Sequence, residues 1–438
     1  MVAPNQRILV SAPGKVILFG EHAVVYQKTA VAASLGLRSY LYLEYRDDTN
    51  VRLHLPDLNI EKSWKLEELP LGIDYPNSDT LHPDSMPSTL KQQMHGFIDE
   101  KQGEPQKVSL LSFLYLLNAM QVKATHRIKH GFTICVRSFL PVGAGLGSSA
   151  SYSVVMATGL LILSGLIPAD FNTSPERDQY LDMINSYAFR AEQVIHGNPS
   201  GVDNAVCTYG GAKTFVRGQG FSTLEGFQSV RLLLTNTKVP RSTNALVASA
   251  GQKKEKYPQI MNPILDAMDG ISVRCRDAFK GLALGEITEK ELMQELGDLV
   301  VLNHCLLDAI GVSHPSLEKV KSITSESGLK TKLTGAGGGG CAVSLIPSDA
   351  SQEIVDTVML KLNKEGFDCY QTSVGGVGAN AISLTDNENE SWLLDLSHNH
   401  SNFIEAEFVD NHATRAIPST IVGRLILITL CMIGPKLP

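Results

Sequence analysis

Apolar and polar positions in the first third of the chain alternate mostly with the period of β-strands. Leucines alternate with polar or aromatic residues from Leu37 to Tyr45, and Arg7 to Ser11 is a short apolar run, so both are predicted strands. Residues 56–106 are rich in Pro, Asp, Ser and Gln, which predicts an irregular insertion. Val108 to Met120 carries apolar residues at helical spacing and is a predicted helix.

A strand, a glycine-rich turn and two long helices are predicted next. Gly131 to Ser138 reads as a strand that leads into the turn Gly143–Gly147. Ser148 to Leu166 is largely apolar and too long for a strand, which predicts a buried helix. Tyr180 to His196 places its apolar residues on one face and is followed by Gly197, as is typical of an amphipathic helix that ends at a glycine.

The second half of the chain has longer helices. Its predicted elements are a strand at Val230–Thr235, helices at roughly 256–281 and 289–310, a strand at Cys341–Ile346, a helix at 351–365 and a strand at 367–373. Strands and helices that are both present but do not alternate strictly along the chain predict an α+β protein. We expect two lobes, 7–225 and 226–385, with the boundary near residues 220–230.

The last segment, 386–438, has a different composition. Asp386 to Asp410 is acidic and polar, while Ile421 to Ile433 is apolar and interrupted by Arg424. Nothing earlier in the chain supplies a pattern that would pair with it, so we expect a disordered or weakly attached tail. The longest nearly pure apolar stretch, Leu425 to Ile433, is far shorter than the ~20 residues of a membrane-spanning helix.

Composition narrows the functional classes. The 438 residues carry a formal net charge of −7, so the chain lacks the excess positive charge that is typical of nucleic-acid-binding proteins. The seven cysteines are scattered and include no C-x-x-C pair, which favours free thiols in a reducing compartment. The first residues lack the pattern of a signal peptide, and the chain ends in Lys-Leu-Pro438 rather than the peroxisomal Ser-Lys-Leu. We therefore expect a cytoplasmic protein.

The strongest candidate for chemistry is the glycine-rich segment from Pro141 to Ala150. Three glycines in five residues let the backbone approach an anion closely, and the following helix adds the positive end of its dipole. Serines in the first turn can cap the helix or ligate a magnesium ion. The segment is neither a Walker A loop, because no Lys precedes the serines, nor a G-x-G-x-x-G loop. A tight turn into a capped helix is the alternative.

Other candidate residues lie in three further segments. Lys332 to Gly340 is a second glycine run, and a ligand-binding loop is favoured over a linker because it leads straight into a strand. Glu192 lies in the last turn of a helix, where a carboxylate opposes the dipole and is usually just solvated unless a cation offsets it. Asp203 follows a Pro-Ser-Gly turn and could project from a loop into a pocket, although an isolated Asp at such a place is more often a turn cap. His196 could pair with Asp203, but a contact with carbonyls at the helix end is favoured. Lys15, Glu21 and His22 flank a short apolar run.

Taken together these motifs resemble the GHMP kinase superfamily, and within it the mevalonate kinase family of the animal type. The resemblance covers roughly residues 7–385, and chance matches to five ordered motifs are negligible beside one lone loop. The motifs are Ala12-Pro-Gly-Lys-Val-Ile-Leu18 with Gly20-Glu-His-Ala-Val-Val25, Gly143 to Ala150, Ile195-His-Gly-Asn-Pro-Ser-Gly-Val-Asp-Asn-Ala205, Thr235-Asn-Thr-Lys-Val-Pro-Arg241, and Lys332 to Cys341.

The resemblance implies a fold, a reaction and partners. The fold is a two-lobed GHMP kinase fold, with an N-terminal lobe of the ribosomal S5 domain 2 type and a ferredoxin-like C-terminal lobe. The reaction is the ATP-dependent, Mg²⁺-dependent phosphorylation of (R)-mevalonate on its 5-hydroxyl, an early step of isoprenoid and sterol biosynthesis. The family usually forms homodimers.

Site residues are implied by motif position. Asp203 would be the base near the acceptor hydroxyl and Lys15 its charged partner. Ser149 and Glu192 would be the magnesium ligands, and Glu21 and His22 would lie on the substrate side. The residues that would surround the triphosphate are Ser138, Gly143, Ala144, Gly145, Leu146, Gly147, Ser148 and Ser149. The family often has Asn near the adenine site where this chain has Asp57.

Two other readings share these motifs. Another GHMP kinase would use a different acceptor; galactokinase also has a Gly-Glu-His segment, and phosphomevalonate kinase should bring more basic residues to the acceptor pocket. A ligand sensor would bind nucleotide without transferring phosphate, but such proteins usually lose an acid or the lysine. Lys15, Ser149, Glu192 and Asp203 are all present.

Overall fold

The computed structural model describes residues 6–74, 83–124, 127–141, 143–384 and 390–395. The strands are β1 Arg7–Phe19, β2 Ala30–Tyr45, β3 Asn50–Leu55, β4 Ile60–Lys65, β5 Phe132–Ser138, β6 Ala212–Val216, β7 Gly220–Thr223, β8 Val230–Asn236, β9 Lys330–Leu333, β10 Cys341–Leu345, β11 Asp368–Val374 and β12 Asn380–Ser383. The helices are α1 Ser88–His95, α2 Glu104–Lys123, α3 Ser148–Leu163, α4 Arg177–His196, α5 Val202–Tyr209, α6 Thr243–Lys256, α7 Pro258–Ala283, α8 Glu289–Ala309, α9 Pro315–Ser325, α10 Gln352–Lys364 and α11 Glu390–Asp395.

Strand β2 organises the sheet. It pairs with β1 along one edge, and along the other it pairs in turn with β6, β11 and β5. Beyond β5 the sheet continues through β3 and β4, and beyond β11 it continues through β8, β10 and β9. The junction with β11 rests on one register pair, Leu35 with Val374. One long strand therefore joins a sheet built mainly from the first half of the chain to one built mainly from the second.

Helices cover these sheets because each carries an apolar face. Helix α3 is buried on nearly all sides and packs with α2 and α4 over β1 and β2. In the second half, Leu232 and Leu234 of β8 face a cluster with α7 and α8, whereas Leu233 faces one with α9 and α10. Successive side chains of a strand point to opposite faces, so this sheet is covered on both sides.

The α+β prediction is confirmed, and so are the predicted helices at 148–166, 180–196, 256–281, 289–310 and 351–365, apart from a few residues at their ends. The prediction of an irregular 56–106 is wrong in part, because β4, α1 and the start of α2 lie there. These elements are short and polar on their outer faces, which hid their periodicity. The β6–β7 hairpin and the helices α5, α6 and α9 were not predicted.

The first strand and the last strand of the described chain pair with each other, which was not predicted. Strand β12 pairs antiparallel with β1, joining Asn380–Ser383 to Ile8–Ser11. Within the predicted tail, Glu390–Asp395 form the short helix α11, and Leu393 is fully buried; the rest of 386–438 lies outside the described residues. The lobe boundaries stay a prediction. No helix in the described ranges is long and apolar enough to cross a membrane.

Candidate active site

A cavity of about 800 Å³ gathers residues that are far apart in the sequence. Its walls come from β1 and the turn after it, from the first glycine loop and the start of α3, and from the loop that follows β9. The predicted site residues that line it are Lys15, Glu21, His22, Ser138, Gly143, Gly145, Leu146, Gly147, Ser148, Ser149 and Asp203. Ala144 and Glu192 lie buried just behind this wall.

The first glycine loop adopts a backbone that requires glycine. Gly143, Gly145 and Gly147 have φ angles of 71°, 77° and 75°, in the left-handed region. A Cβ on Gly147 would lie 2.7 Å from Cγ of Lys15. Among the described residues no side chain caps the N-terminus of α3. The uncapped N–H groups at this helix start, beside the cavity, favour an anion-binding loop over the alternative of a tight turn into a capped helix.

Lys15 and Asp203 form an ion pair beside this loop. The Nζ of Lys15 lies 3.1 Å from Oδ1 of Asp203, and the lysine side chain is 8% exposed against 42% for the aspartate. Lys15 sits after a register shift in β1, and its N–H donates to the Leu146 carbonyl at 2.8 Å, which ties the strand to the loop. Asp203 faces a pocket, as one of the two readings had it, but it does not project from a loop. It lies in the first turn of α5, where the helix dipole favours a carboxylate.

Glu192 is buried, so the interpretation of this residue as a solvated carboxylate at the end of its helix is wrong. It accepts hydrogen bonds from Ser153 Oγ at 2.9 Å and from Ser149 Oγ at 3.3 Å. Burial raises the pKa of Glu192 to about 7, the charge of Asp203 adds to that rise, and the two serines and Lys15 oppose it. A carboxyl group held this far from water needs a positive partner to stay ionised.

Ser149 and Glu192 suit a hard divalent cation. Their oxygens lie 3.3 Å apart next to the glycine loop, and hydroxyl and carboxylate oxygens are the ligand types that Mg²⁺ prefers. In the part of the chain that the structure describes, no three His, Cys, Asp or Glu side chains cluster as a complete protein cage. Mg²⁺ usually keeps water and substrate phosphate in its shell, so two protein ligands fit it well.

His196 contacts the same pair, contrary to the expected contact with helix-end carbonyls. Its Nε2 lies 3.0 Å from Ser149 Oγ and 3.9 Å from Oε2 of Glu192. The side chain is half exposed and also lines the cavity. His196 therefore contacts Ser149 at the cavity wall, where both residues are exposed to the cavity.

Another part of the cavity is built on Glu21 and His22. Glu21 is buried and forms an ion pair with Lys332 of β9, and Asn303 Nδ2 donates to its second oxygen at 3.0 Å. Burial lowers the pKa of Lys332, and the charge of Glu21 opposes that change. Because Lys332 neutralises it, Glu21 presents less net charge to the cavity than its position suggests.

One ring nitrogen of His22 has no hydrogen-bond partner among the described residues. It has a φ of 59°, is 5% exposed, and its Nε2 lies 2.8 Å from the Ala336 carbonyl. Since a carbonyl only accepts, Nε2 carries the hydrogen, and Nδ1 is a buried acceptor without a hydrogen-bond partner among the described residues. Burial lowers the pKa of His22, although the Ala336 carbonyl and Glu21 oppose that change. An unsatisfied buried acceptor on a cavity wall is typical of a ligand contact.

The second glycine run serves both packing and the cavity. Gly338 and Gly340 donate to the carbonyls of Val312 and Val239, which anchors the end of the run. Gly335 and Ala336 line the cavity. The ligand interpretation of the run therefore concerns its first residues.

Asp57 and Arg241 are among the cavity residues that were not predicted as site residues. Asp57 accepts a hydrogen bond from the Ser138 N–H at 2.7 Å and lines the cavity. Arg241 also lines it, and Nη2 donates to the Ala144 carbonyl at 2.7 Å. Asp57 stands where the family often has Asn, and Arg241 ends the Thr235–Arg241 motif, but only the folded arrangement brings them to the site.

Comparisons with known proteins agree with this geometry. The models of the GHMP kinases N terminal domain and of the GHMP kinases C terminal domain match residues 113–211 and 286–364. The chain is 40% identical to mevalonate kinase of Mus musculus over 384 residues, which is 86% of this chain and 96% of the relative. It is 40% identical to the mevalonate kinase of Homo sapiens over 387 residues, 87% and 96% of the two chains.

Solved structures give the same picture. The Methanococcus jannaschii mevalonate kinase aligns with a TM-score of 0.61 at 26% identity, covering 84% of this chain and 98% of that one. The L. major mevalonate kinase in complex with R-mevalonate aligns with a TM-score of 0.59 at 25% identity, covering 85% and 96%. A Lactococcus lactis galactokinase complexed with galactose shares the fold at 18% identity, with a TM-score of 0.56 and coverage of 85% and 95%.

Proposed function

The chain belongs to the mevalonate kinase family of the GHMP kinases, and from that premise we propose that it transfers the γ-phosphoryl group of ATP to the 5-hydroxyl of (R)-mevalonate. The products are 5-phosphomevalonate and ADP, at an early step of isoprenoid biosynthesis. The observation that carries the proposal is the Lys15–Asp203 ion pair beside a glycine loop inside one cavity. It supplies an acceptor for the hydroxyl proton and a cation where phosphoryl charge develops.

In the proposed reaction the oxygen of the 5-hydroxyl forms a bond to the γ-phosphorus, and the bond from that phosphorus to the leaving oxygen of ADP breaks. Asp203 accepts the hydroxyl proton, or holds the hydroxyl in line until the proton leaves. Lys15 is held by Asp203 through its Nζ and by the loop through its backbone N–H. Phosphoryl transfer depends mainly on such positioning and charge neutralisation.

The glycine loop and the N-terminus of α3 would bind the triphosphate. Their N–H groups are oriented before substrate arrives, so little reorganisation is needed as charge shifts toward the leaving phosphate. Ser138, on β5, is held by Asp57 through its N–H and by Ser39 Oγ at 3.0 Å. This arrangement supports a place for the nucleotide between β5 and the loop.

Ser149 and Glu192 would hold the magnesium ion of Mg-ATP. A bound divalent cation neutralises charge on the β- and γ-phosphates. The burial of Glu192 and its raised pKa support this placement, because a cation would offset the cost of keeping that carboxylate ionised.

His22 and its neighbours would bind mevalonate. The Nδ1 of His22 is an acceptor without a partner among the described residues, which suits a substrate hydroxyl. Ile17 and Val24 line the same cavity and offer apolar contact for the methyl group. Glu21, neutralised by Lys332, fixes the backbone that carries His22.

The test of this function is a comparison of acceptors. ADP release is measured with Mg-ATP and, in turn, mevalonate, phosphomevalonate, galactose and homoserine, and the product is identified by phosphorus NMR. We expect kcat/KM for mevalonate to exceed the others by roughly 10³-fold or more. Preference for another acceptor would replace the substrate, and ATP binding without turnover on any of them would favour a ligand sensor.

The partner that we propose is a second copy of the chain. Helices α7 and α8 lie side by side, and their outer face forms an apolar groove lined by Ala267, Gly270, Ile271, Leu299, Leu302, Cys305 and Leu306. Leu302 is 55% exposed. A contiguous apolar surface of this kind is typical of an interface.

We expect Leu302→Glu to convert a dimer into a monomer, because a buried unpaired charge opposes association. Sedimentation velocity or light scattering measures the change. Leu360→Glu is the matched control, since Leu360 of α10 is 57% exposed on a different surface. Dimerisation that survives the first change, or is lost equally in both, would exclude this face as the interface.

The compartment that we propose is the cytoplasm. The described cysteines are free thiols, and four of the six are buried. Burial raises the pKa of Cys341 to about 12, which keeps that thiol neutral and unreactive. These thiols suit a reducing environment.

A further inference from the structure

Asp57 places a carboxylate on the cavity wall at the end where the nucleotide is proposed to bind. It lies in the single turn Pro56–Leu58 between β3 and β4, and its side chain is 33% exposed. One of its carboxylate oxygens accepts the Ser138 N–H at 2.7 Å, a few residues before the first glycine loop. A negative charge at this place repels an anion such as a triphosphate unless a cation neutralises it.

Arg137 of β5 is the cation that pairs with this carboxylate. Its Nε lies 3.8 Å from Oδ1 of Asp57, and the arginine side chain is 20% exposed. Among the described residues that form the cavity wall, Asp57 is present and Arg137 is not. The guanidinium therefore influences this end of the cavity through Asp57.

Two further contacts hold the guanidinium in this position. Its Nη1 donates to the Leu394 carbonyl of α11 at 2.5 Å, and its Cζ lies 5.5 Å from the centroid of the Phe139 ring. Leu393, the preceding residue of α11, is fully buried, so an apolar contact also docks this helix. A guanidinium that is already fixed in this way loses little further conformational entropy when it neutralises a carboxylate.

The same pairing of charges occurs elsewhere on the cavity wall. Asp203 is paired with Lys15 and Glu21 with Lys332, and both carboxylates line the cavity. Such pairs reduce the net negative charge that the wall presents to an incoming anion. Asp57 differs in that its partner is held by the C-terminal helix α11.

We propose that Arg137 is a positioning residue that neutralises Asp57 and thereby keeps the affinity for ATP high. This inference rests on the proposed function, because it takes an anionic nucleotide as the ligand at this end of the cavity. Because Arg137 acts through Asp57, its loss should weaken nucleotide binding and leave the phosphoryl-transfer step unchanged.

The test compares ATP with adenosine, which has no phosphate charge. For each enzyme form, both dissociation constants are measured by displacement of a fluorescent ATP analogue, with Mg²⁺ present throughout. We expect Arg137→Met to raise the dissociation constant for ATP roughly 10-fold and that for adenosine less than about twofold, because the unneutralised carboxylate repels only the anion. The kcat for mevalonate phosphorylation should stay within about twofold of wild type.

A second substitution tests the mechanism by rescue. Asp57→Asn removes the negative charge but keeps an oxygen that can accept the Ser138 N–H. Combined with Arg137→Met, it should return the dissociation constant for ATP to within about threefold of wild type. An arginine that only stabilised the fold would not be rescued by removal of its partner's charge.

Arg52→Met is the matched control. Arg52 of β3 is also paired with a carboxylate, since its Nη2 lies 2.8 Å from Oε1 of Glu61 on β4. Neither residue is part of the cavity wall in the described ranges. The control should therefore leave the dissociation constants for ATP and adenosine unchanged.

The results that would overturn this proposal differ from those that would contradict the proposed function. An unchanged dissociation constant for ATP in Arg137→Met overturns it, and so does an equal weakening of ATP and adenosine binding. A loss in Arg137→Met that Asp57→Asn does not rescue also overturns it, since the arginine would then not act through that charge. If the wild type binds ATP but does not phosphorylate mevalonate, the proposed function fails, while the nucleotide measurements still decide the role of Arg137.

Discussion

Asp203→Asn should lower kcat for mevalonate phosphorylation by about 10³-fold or more and leave ATP binding nearly unchanged. The amide has the shape of the carboxylate but cannot accept the hydroxyl proton, and it leaves Lys15 without its charged partner at 3.1 Å. Removal of a positioned base typically costs 10²- to 10⁴-fold, and here the base and its ion pair are lost together. Single-turnover kinetics and titration with fluorescent ATP measure the two effects separately.

A matched substitution shows whether this loss is specific. Asp182 of α4 is an exposed carboxylate that accepts a hydrogen bond from Tyr209 at 2.6 Å, and it does not line the cavity. Asp182→Asn should keep kcat within about twofold, because such surface changes rarely matter far from the chemistry. Turnover within tenfold of wild type in Asp203→Asn would show that Asp203 neither accepts the proton nor orients the hydroxyl.

Glu192→Gln should lower turnover and yet make the ligand-free protein more stable at alkaline pH. The folded pKa of Glu192 is raised to about 7 from its ordinary value of 4.5, mainly by burial. When the pKa of a carboxyl group is higher in the folded than in the unfolded state, the protonated group contributes to the free energy of unfolding. This contribution is fully present below the pKa of the unfolded state and is lost as the pH rises through the pKa of the folded state. Glutamine keeps an acceptor for Ser153 and Ser149 without ever ionising.

We expect the glutamine variant to be more stable than wild type by about 1 to 3 kcal/mol at pH 8 and by less at pH 5, measured by denaturant unfolding without divalent cations. Its kcat should fall by roughly 100-fold or more, because a carboxylate ligand of the phosphate-bound cation is lost. Glu326→Gln, at an exposed carboxylate after α9, should change neither quantity noticeably. Equal stability of wild type and Glu192→Gln at pH 8 would contradict the assigned effect of burial.

The sequence predicted the elements whose periodicity is strong. Helix α3 is apolar for most of its length and α4 has a clear buried face, so both were predicted close to their observed bounds. Helix α5 was missed because it is eight residues long and starts directly after a turn. Position within a short helix, not residue type, is what aims Asp203 at Lys15, and periodicity carries no such information.

The features of the site that were not predicted from the sequence depend on contacts between residues that are far apart in the chain. The pairing of Glu21 with Lys332 and the contact of His22 with Ala336 each join residues more than 300 positions apart. A charged residue in a single sequence shows its chemistry but not its partner, so Glu21 could not be distinguished from a surface acid. The burial of Glu192 was hidden for the same reason, since Ser149 and Ser153 reach it from a neighbouring helix.

The pairing of β1 with β12 has a consequence for synthesis on the ribosome. Ile8 to Ser11 are synthesised more than 360 residues before their partners, Asn380 to Ser383. At 5–20 residues per second the outer edge of β1 stays open for roughly 20 to 80 s. An open strand edge invites pairing with another nascent chain, so this protein should depend on chaperones or dilution during its production, and heavy expression should favour aggregates.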